Sequence, residues 1–177
     1  RKLLLWSVFY TVTTFFTTIG RTFVQTFLTE QVLLSEFYIG VFGSLNFAGI
    51  TFIGLTMGRL GDRWRKSYAL GICVLLYALS MIPIMFVREP IFLMSAAFFY
   101  GGVVVIGSLI SSYVGSIAPA HRRGFWVSIP QTFSLVAAFA APYLGGYLYT
   151  QSPYSAFMVS ILPMPFLAAF AFFALKE

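Results

Sequence analysis

The sequence has few charged residues and a single cysteine. Only 9% of its 177 residues are charged, whereas a soluble domain usually carries about 25%. A soluble domain of this size could not bury a hydrophobic fraction of 59%, because small domains keep much of their surface exposed. Lipid is therefore the expected solvent. The lone Cys73 excludes an intrachain disulfide framework and a cysteine metal site.

Residues typical of enzyme sites are also missing. No long apolar run has an Asp or Glu in its interior, so a carboxylate proton relay is not visible. His121 is the single histidine and lies in a basic, polar segment, which favours a solvated side chain. There is no Ser-His-Asp set, carboxylate pair or phosphate loop. We expect no enzyme, no cofactor or metal site, and no nucleic-acid partner.

Six apolar runs are long enough to cross a bilayer, which takes about 20 residues. The predicted fold is an all-α membrane protein whose spans, numbered 1 to 6, are Leu3–Leu28, Phe37–Met57, Ser67–Val87, Ile91–Ile117, Phe125–Thr150 and Tyr154–Leu175. The first run is too long for a signal peptide and has no small-residue cleavage site. Proline is expected to kink the helices, at Pro83, Pro130, Pro142, Pro163 and Pro165.

Basic residues are unevenly distributed among the segments that separate the spans. With the N-terminus in the cytoplasm, the outside holds only Arg88, and Arg21 lies within span 1. The cytoplasmic side then holds the rest of the 11 Lys and Arg residues, namely Arg1, Lys2, Arg59, Arg63, Arg65, Lys66, Arg122, Arg123 and Lys176. This positive-inside pattern predicts that both termini are cytoplasmic.

The segment after span 2 carries a motif. It reads Gly58-Arg59-Leu60-Gly61-Asp62-Arg63-Trp64-Arg65-Lys66 and resembles the signature loop of the major facilitator superfamily, roughly G-x-L-a-D-r-x-G-r-k. The family's second glycine is missing, because Arg65 stands there or one residue is deleted. We interpret Gly58 as a point of close helix approach, and Asp62 as a carboxylate facing a helix N-terminus or an arginine.

A second resemblance lies in span 5, in the segment Ala141-Pro142-Tyr143-Leu144-Gly145-Gly146. It is similar to the G-P-x-x-G-G element of exporters and antiporters in the same family, with Ala141 in place of the first glycine. The resemblance favours export. The alternative is that Pro142, Gly145 and Gly146 form only a kinked, closely packed helix end.

The resemblance implies an architecture. Family members are typically twelve-helix proteins with two six-helix halves, and each half contains two inverted three-helix repeats. The sequence has the spans of one half, predicted as one transmembrane domain over residues 1–177 with repeats at about 1–88 and 89–177. We expect a second half as partner, as a homodimer or as another half, in the plasma or inner membrane. The sequence begins at Arg1 rather than Met, and a natural half-transporter and a half cut from a longer protein both remain open.

A polar stripe in span 1 is the best indication of a substrate site. Tyr10, Thr14, Thr17, Arg21 and Gln25 recur at three- and four-residue spacing, which places them on one helix face at about 100° per residue. A cation in hydrocarbon costs at least several kcal/mol, so Arg21 is predicted to contact substrate in a cavity. In the alternative, it binds a helix-end carbonyl or extends to the membrane surface.

Other spans supply further candidate substrate-binding residues. The family resemblance implies that the first and fourth helices line the cavity. Span 4 contributes Tyr100 and Ser111, and the buried amides are Asn46 and Gln131. Each polar group is equally consistent with a hydrogen bond that only holds neighbouring helices together.

The leading functional prediction is a secondary active transporter of a small organic solute, exported by rocking-type alternating access. A gate is predicted in which Asp62 pairs with Arg122 or Arg123, with Gly58 and Arg63 in the same loop. One alternative is an exchanger of organic anions or phosphates that uses Arg21. The other is a membrane assembly subunit or fragment that does not transport. Protons are a candidate coupling ion that the sequence leaves open.

Overall fold

The computed structural model describes residues 2–175, and this part of the chain contains no β-strand. Six helical spans in it are long and apolar enough to cross a membrane, as predicted. Arg1 and Lys176, which contribute to the predicted charge asymmetry, lie outside the described residues.

Three of the six spans are formed by one helix each and three by two consecutive helices. Span 1 consists of α1 (Lys2–Arg21) and α2 (Val24–Glu30), span 2 of α3 (Glu36–Arg63), span 3 of α4 (Lys66–Phe86), span 4 of α5 (Pro90–Tyr100) and α6 (Gly102–Ile117), span 5 of α7 (Arg123–Gln151), and span 6 of α8 (Pro153–Ile161) and α9 (Met164–Phe173). A 3₁₀ turn, Ala120–Arg122, precedes α7.

The motif after span 2 is more helical than expected. The sequence predicts a break over Arg59–Lys66, but α3 continues to Arg63, and only Trp64 and Arg65 separate it from α4. Arg59–Arg63 is polar but contains no helix-breaking residue except Gly61, so hydropathy marks the end of the apolar run rather than the end of the helix.

At the interruptions of spans 1 and 4 the backbone changes locally from α-helical to 3₁₀-type hydrogen bonding. The Phe23 N–H donates to the Gly20 carbonyl at 3.1 Å, and the Gly101 N–H donates to the Phe98 carbonyl at 3.3 Å. Both are three-residue steps of the 3₁₀ type, which keep the backbone hydrogen-bonded while the helix changes direction. Sequence patterning did not predict either interruption.

Proline explains only the interruption of span 6. A proline within a helix lacks an N–H and crowds the carbonyl four residues earlier, and α8 ends just before Leu162 and Pro163. By contrast, α4 continues through Pro83, and α7 continues through Pro130 and Pro142. Pro165 lies in the first turn of α9, where the missing N–H costs little.

Each span packs mainly against one or two of the others. Span 1 packs mainly against span 5, span 2 against span 4, and span 3 against spans 4 and 6. Stacked rings join spans 1 and 4, since the centroids of buried Trp6 and Tyr113 are 3.7 Å apart. Spans 2 and 5 are the least buried of the six.

Spans 2 and 4 approach most closely at two glycines. A methyl group on Gly49 would overlap the Phe98 carbonyl oxygen, and one on Gly101 would lie 2.5 Å from the Ile50 backbone nitrogen. Backbone atoms therefore occupy the space of a side chain at this crossing, as small residues permit in membrane helix pairs. The crossing places Asn46 of span 2 beside Tyr100 of span 4.

We expect Gly49→Ala to destabilise the protein by about 1–3 kcal/mol, because the new methyl group forces two backbones apart. Gly40→Ala is the matched control in the same helix, since a methyl group there meets nothing within 4 Å. Helix propensity alone favours alanine over glycine by about 1 kcal/mol. The measurement is the free energy of unfolding of each variant in mixed detergent micelles. Equal free energies of unfolding for Gly49→Ala and Gly40→Ala would contradict the close crossing.

Candidate functional site

A concavity lies between spans 1, 2 and 4, and we name it the Arg21 concavity. Its volume is about 230 Å³. It is lined by Arg21, Val24, Gln25, Leu28, Ile39, Phe42, Gly43, Asn46, Phe47 and Tyr100. Four of the predicted substrate-binding residues are therefore brought together, and Arg21 is the only charged residue among those that line the concavity.

Arg21 is positioned by the interruption of span 1. It is the last residue of α1, and Thr22 and Phe23 separate it from α2. Its guanidinium carbon lies 5.9 Å from the centroid of the Tyr100 ring, within the range of a cation–π contact. The side chain is exposed and donates a hydrogen bond to the Tyr100 hydroxyl. Within residues 2–175 it forms no ion pair.

The two amide side chains of the concavity are weakly held by hydrogen bonds. The Asn46 Nδ2 donates to the Ala97 carbonyl of span 4 at 3.4 Å, a long hydrogen bond. The Gln25 side chain is exposed and, in the described chain, makes no hydrogen bond. Both amides are thus available to a polar group that enters the concavity.

A buried polar cluster holds span 1 in place one turn before Arg21 in the sequence. The Tyr77 hydroxyl of span 3 donates to the Thr17 carbonyl at 3.1 Å and lies 2.6 Å from the Ser160 hydroxyl of span 6. Gly20 makes room for it, because a methyl group there would lie 2.8 Å from the Ser160 Cβ. Unbonded polar groups are costly in a membrane, so this cluster holds spans 1, 3 and 6 in register.

The rest of the predicted stripe diverges from Arg21. Thr17 is buried, and its hydroxyl donates to the Thr13 carbonyl at 2.8 Å, so its side chain bonds its own helix. Thr14 is half-buried, and its carbonyl also accepts from Thr17. Tyr10 faces span 4, since its hydroxyl lies 2.7 Å from the position of a methyl group on Gly107.

The remaining candidate residues form a separate polar contact between spans 4 and 5. The Gln131 Nε2 donates to the Ser111 hydroxyl at 3.0 Å. The Ser111 hydroxyl donates in turn to the Gly107 carbonyl at 2.9 Å, next to Tyr10. This contact lies in α6 and α7, whereas the Arg21 concavity is bounded by α5. Ser111 and Gln131 therefore do not line the concavity.

The loop motif borders a second groove between spans 2 and 4. This groove, about 260 Å³, is lined by Gly58, Asp62, Lys66 and Ser112 among others. The Lys66 Nζ donates to the Ser112 hydroxyl at 2.9 Å and so joins spans 3 and 4. A methyl group on Gly58 would meet nothing within 4 Å, so no helix approaches closely there.

The predicted gate residues are not paired in this conformation. Asp62 forms no ion pair and no side-chain hydrogen bond within the described residues. Arg63 and Arg122 are exposed. The Arg123 side chain lies near Gly115 of span 4, with its Cδ 3.9 Å from the position of a methyl group there. The pairing of Asp62 with Arg122 or Arg123 stays a prediction for another conformation.

The proline–glycine element of span 5 packs against the interruption of span 1. A methyl group on Gly145 would lie 2.9 Å from the Ile19 carbonyl oxygen and 2.8 Å from the Phe23 ring, whereas one on Gly146 would make an ordinary 3.7 Å contact with that ring. The helix continues through Pro142. Gly145 thus supports close packing beside Arg21.

Arg88 has a different environment from Arg21. Its Nη1 donates to the Gln31 carbonyl at 2.7 Å, its Nη2 donates to the Tyr154 hydroxyl at 3.2 Å, and its guanidinium carbon lies 5.9 Å from the Phe27 ring centroid. Arg88 thereby ties the connection after span 1 and the connection after span 3 to the first turn of span 6. We name this end of the bundle the Arg88 end.

Sequence reasoning missed the apolar wall and the polar cluster of this region. The wall consists of Val24, Leu28, Ile39, Phe42 and Phe47. Phenylalanine occurs 21 times in the sequence, so its position carries little information by itself. The Tyr77–Ser160 contact joins residues far apart in the chain. The close crossing could have been suspected from Gly49 and Gly101.

The chain matches the Major Facilitator Superfamily over residues 6–177 and belongs to this family. The resemblance predicted from the Gly58–Lys66 motif is confirmed. Members of the family are membrane transporters and not enzymes, and with its six apolar spans the chain is a multi-pass membrane protein. No curated protein and no solved structure gives a significant match.

Proposed function

We propose that this chain forms one six-helix half of a secondary active transporter for a small organic solute in a plasma or inner membrane. The Arg21 concavity is the observation that carries this proposal. It combines one cation, two amides and aromatic rings between three membrane spans. Ligand sites are typically apolar concavities with a few convergent polar groups. The family supplies the general activity, membrane transport.

Alternating access by rocking is the proposed mechanism. The span pairs support it, because span 1 packs against span 5 and span 2 against span 4. An inverted repeat relating spans 1–3 to spans 4–6 exchanges these two pairs, and such repeats underlie rocking around a central site. We further propose that both termini are cytoplasmic, on the basis of the positive-inside pattern.

A second six-helix unit is the proposed partner, since the concavity opens on one side. Arg21 and Gln25 are exposed on that side, as are Phe47 and Gly40 of span 2. An exposed guanidinium inside the hydrocarbon layer is costly. A facing unit, either a second copy or another half, would place these residues at a shared cavity.

We expect a dimer when the purified chain in lipid nanodiscs is measured by native mass spectrometry. A dimer would place Arg21 on both sides of the two-fold axis, in keeping with the symmetry of paired halves. Reconstitution with tenfold more lipid and scaffold protein per chain is the control, because chance pairs in one disc then become rare and a specific dimer persists. A stable monomer would contradict self-pairing and would support a different second half.

Arg21 is the residue that best tests transport. We expect Arg21→Ala to reduce transport of a recognised solute by at least about tenfold, because charge-assisted hydrogen bonds contribute about 1.5–3 kcal/mol. Arg21→Lys keeps the charge but loses the planar fork, and we expect a smaller loss. The measurement is solid-supported-membrane current with a panel of small organic acids, amines and neutral solutes.

Arg59→Gln is the matched control, because it removes the same charge from an exposed position at the far end of span 2. If wild-type protein translocates no solute, or if Arg21→Ala translocates as fast as wild type, the proposed site is wrong. In the first case, a membrane assembly subunit becomes the better description.

We propose outward movement of the solute, supported by the Pro142-Gly145-Gly146 element, and a gate at Asp62. This carboxylate is unpaired here, beside a groove between spans 2 and 4. In the alternative conformation it is proposed to pair with Arg122 or Arg123 and to hold the cytoplasmic side closed. Protons are the coupling ion to examine first.

We expect Asp62→Asn to slow transport by about tenfold while solute affinity changes less than about twofold, because a lost ion pair biases the two conformations without altering the site. Imposed pH gradients across proteoliposomes would give both the direction and the proton dependence of the flux. Asp62→Asn with Arg123→Gln should be no slower than Asp62→Asn alone if the two charges act together. Wild-type rates in Asp62→Asn would rule out the gate.

A further inference from the structure

We infer that a groove between spans 3 and 4 binds a membrane lipid whose polar group is one uncharged hydroxyl, which donates a hydrogen bond to a backbone carbonyl freed by Pro83. Among the described residues, the groove shares no lining residue with the Arg21 concavity. The inference therefore goes beyond the proposed function and does not depend on it.

The groove, which we name the Pro83 groove, has a volume of about 250 Å³. The side chains of Leu79, Ser95 and Phe99 are exposed along it, so it is open to the surrounding bilayer. Its lining residues are Leu76, Leu79, Ser80 and Pro83 of span 3, and Ser95, Ala96 and Phe99 of span 4.

One backbone acceptor in the Pro83 groove has lost its helical donor. The helix α4 continues through Pro83, and proline has no N–H, so the Leu79 carbonyl lacks the donor that a regular helix places four residues later. An unbonded carbonyl in hydrocarbon is costly. In membrane helices a nearby serine or threonine hydroxyl, or a water molecule, often satisfies such a carbonyl.

The two serines that line the groove use their protons elsewhere. The Ser80 hydroxyl donates to the Tyr77 carbonyl at 2.7 Å, and the Ser95 hydroxyl donates to the Phe92 carbonyl at 2.7 Å. A hydroxyl has one proton to donate, so neither serine donates to the Leu79 carbonyl in this structure. The groove therefore contains a free acceptor and needs a donor from outside the chain.

An uncharged hydroxyl is the donor that fits this position. Within the part of the chain that the structure describes, no charged residue lines the groove. An ammonium group would enter hydrocarbon without a counter-charge, which is costly. The ester and phosphodiester oxygens of phosphatidylcholine accept hydrogen bonds and cannot donate them. A lipid alcohol supplies the proton without a charge.

The polar and apolar parts of the groove lie at different depths. Pro83 is close to the end of α4 at Phe86, and Ser95 is close to the start of α5 at Pro90, about 5 and 8 Å from the Arg88 end. Leu76 and Phe99 lie about 14–15 Å from that end at the same rise per residue. A lipid alcohol has the matching polarity, with its hydroxyl near the membrane surface and its apolar body towards the bilayer centre.

Lipid binding to the chain in dioleoylphosphatidylcholine nanodiscs, measured by native mass spectrometry, tests the inference. Cholesterol and cholesteryl methyl ether form one pair of probes, and dioleoylglycerol and its methyl ether form a second pair with a flexible body. The members of each pair differ in the O–H group. In at least one pair, we expect the alcohol to bind at least about threefold more tightly than the ether, which is the scale of one neutral hydrogen bond.

Variants assign this preference to the groove. Pro83→Ala restores the N–H that the Leu79 carbonyl lacks, and it should reduce the ratio of the two affinities to about one. Pro130→Ala is the matched control, because it restores an N–H within α7, outside the groove, and should keep the wild-type ratio. Phe99→Ala shortens the apolar wall and should weaken the alcohol and the ether by the same factor. Monodisperse elution and unchanged helical circular dichroism confirm that each variant folds.

The outcomes separate this inference from the proposed function. Equal binding of alcohol and ether in both pairs, or a wild-type ratio in Pro83→Ala, would overturn the lipid site. A dimer that is lost in Phe99→Ala while lipid binding stays at the wild-type level would also overturn it, and would identify the groove as a contact between two copies of the chain. A failure of the chain to translocate any solute would refute transport and leave the lipid site standing, because none of these measurements requires translocation.

Discussion

Backbone hydrogen bonding in hydrocarbon is the constraint on which the other features of this structure depend. Lipid offers no partner for an exposed N–H or C=O group, so the chain crosses the membrane as helices. Non-helical backbone at membrane depth is tolerated where protein covers it or a cavity meets it. The interruptions after Arg21 and at Gly101 obey this rule, since both lie at interfaces between spans and border the Arg21 concavity. Two of the three interruptions in the described spans thus lie beside the candidate site.

The six spans were predictable from the sequence because each is a long apolar run, and such a run crosses lipid as a helix. The interruptions were not predictable in the same way. Hydropathy shows which segments lie in lipid, but it does not detect a single 3₁₀-type hydrogen bond such as the one between the Phe23 N–H and the Gly20 carbonyl. Proline was not a reliable sign of an interruption, since α7 continues through Pro130 and Pro142, and the kinks expected there stay predictions. The end of α3 was placed too early, because polar residues at a helix end can remain helical.

The candidate site was predicted in part. Arg21 was identifiable because a cation within an apolar run is rare and costly. Its neighbours on the stripe were assigned to one face, yet a long helix meets different partners along its length. At the level of Thr17 it contacts spans 3 and 6, and at the level of Arg21 it contacts span 4. Helical periodicity gives the angle of a side chain, and only tertiary packing determines what lies at that angle.

The crossing of Gly49 and Gly101 links packing to recognition. Backbone touches backbone there, and the adjoining residues on the two helices include Asn46 and Tyr100, which line the concavity. A larger residue at either glycine can be accommodated only by moving one helix, and that movement changes the spacing between the amide and the ring. The dimensions of the binding site are therefore set partly by residues that no solute touches, and a related chain could acquire a different preference through a glycine alone.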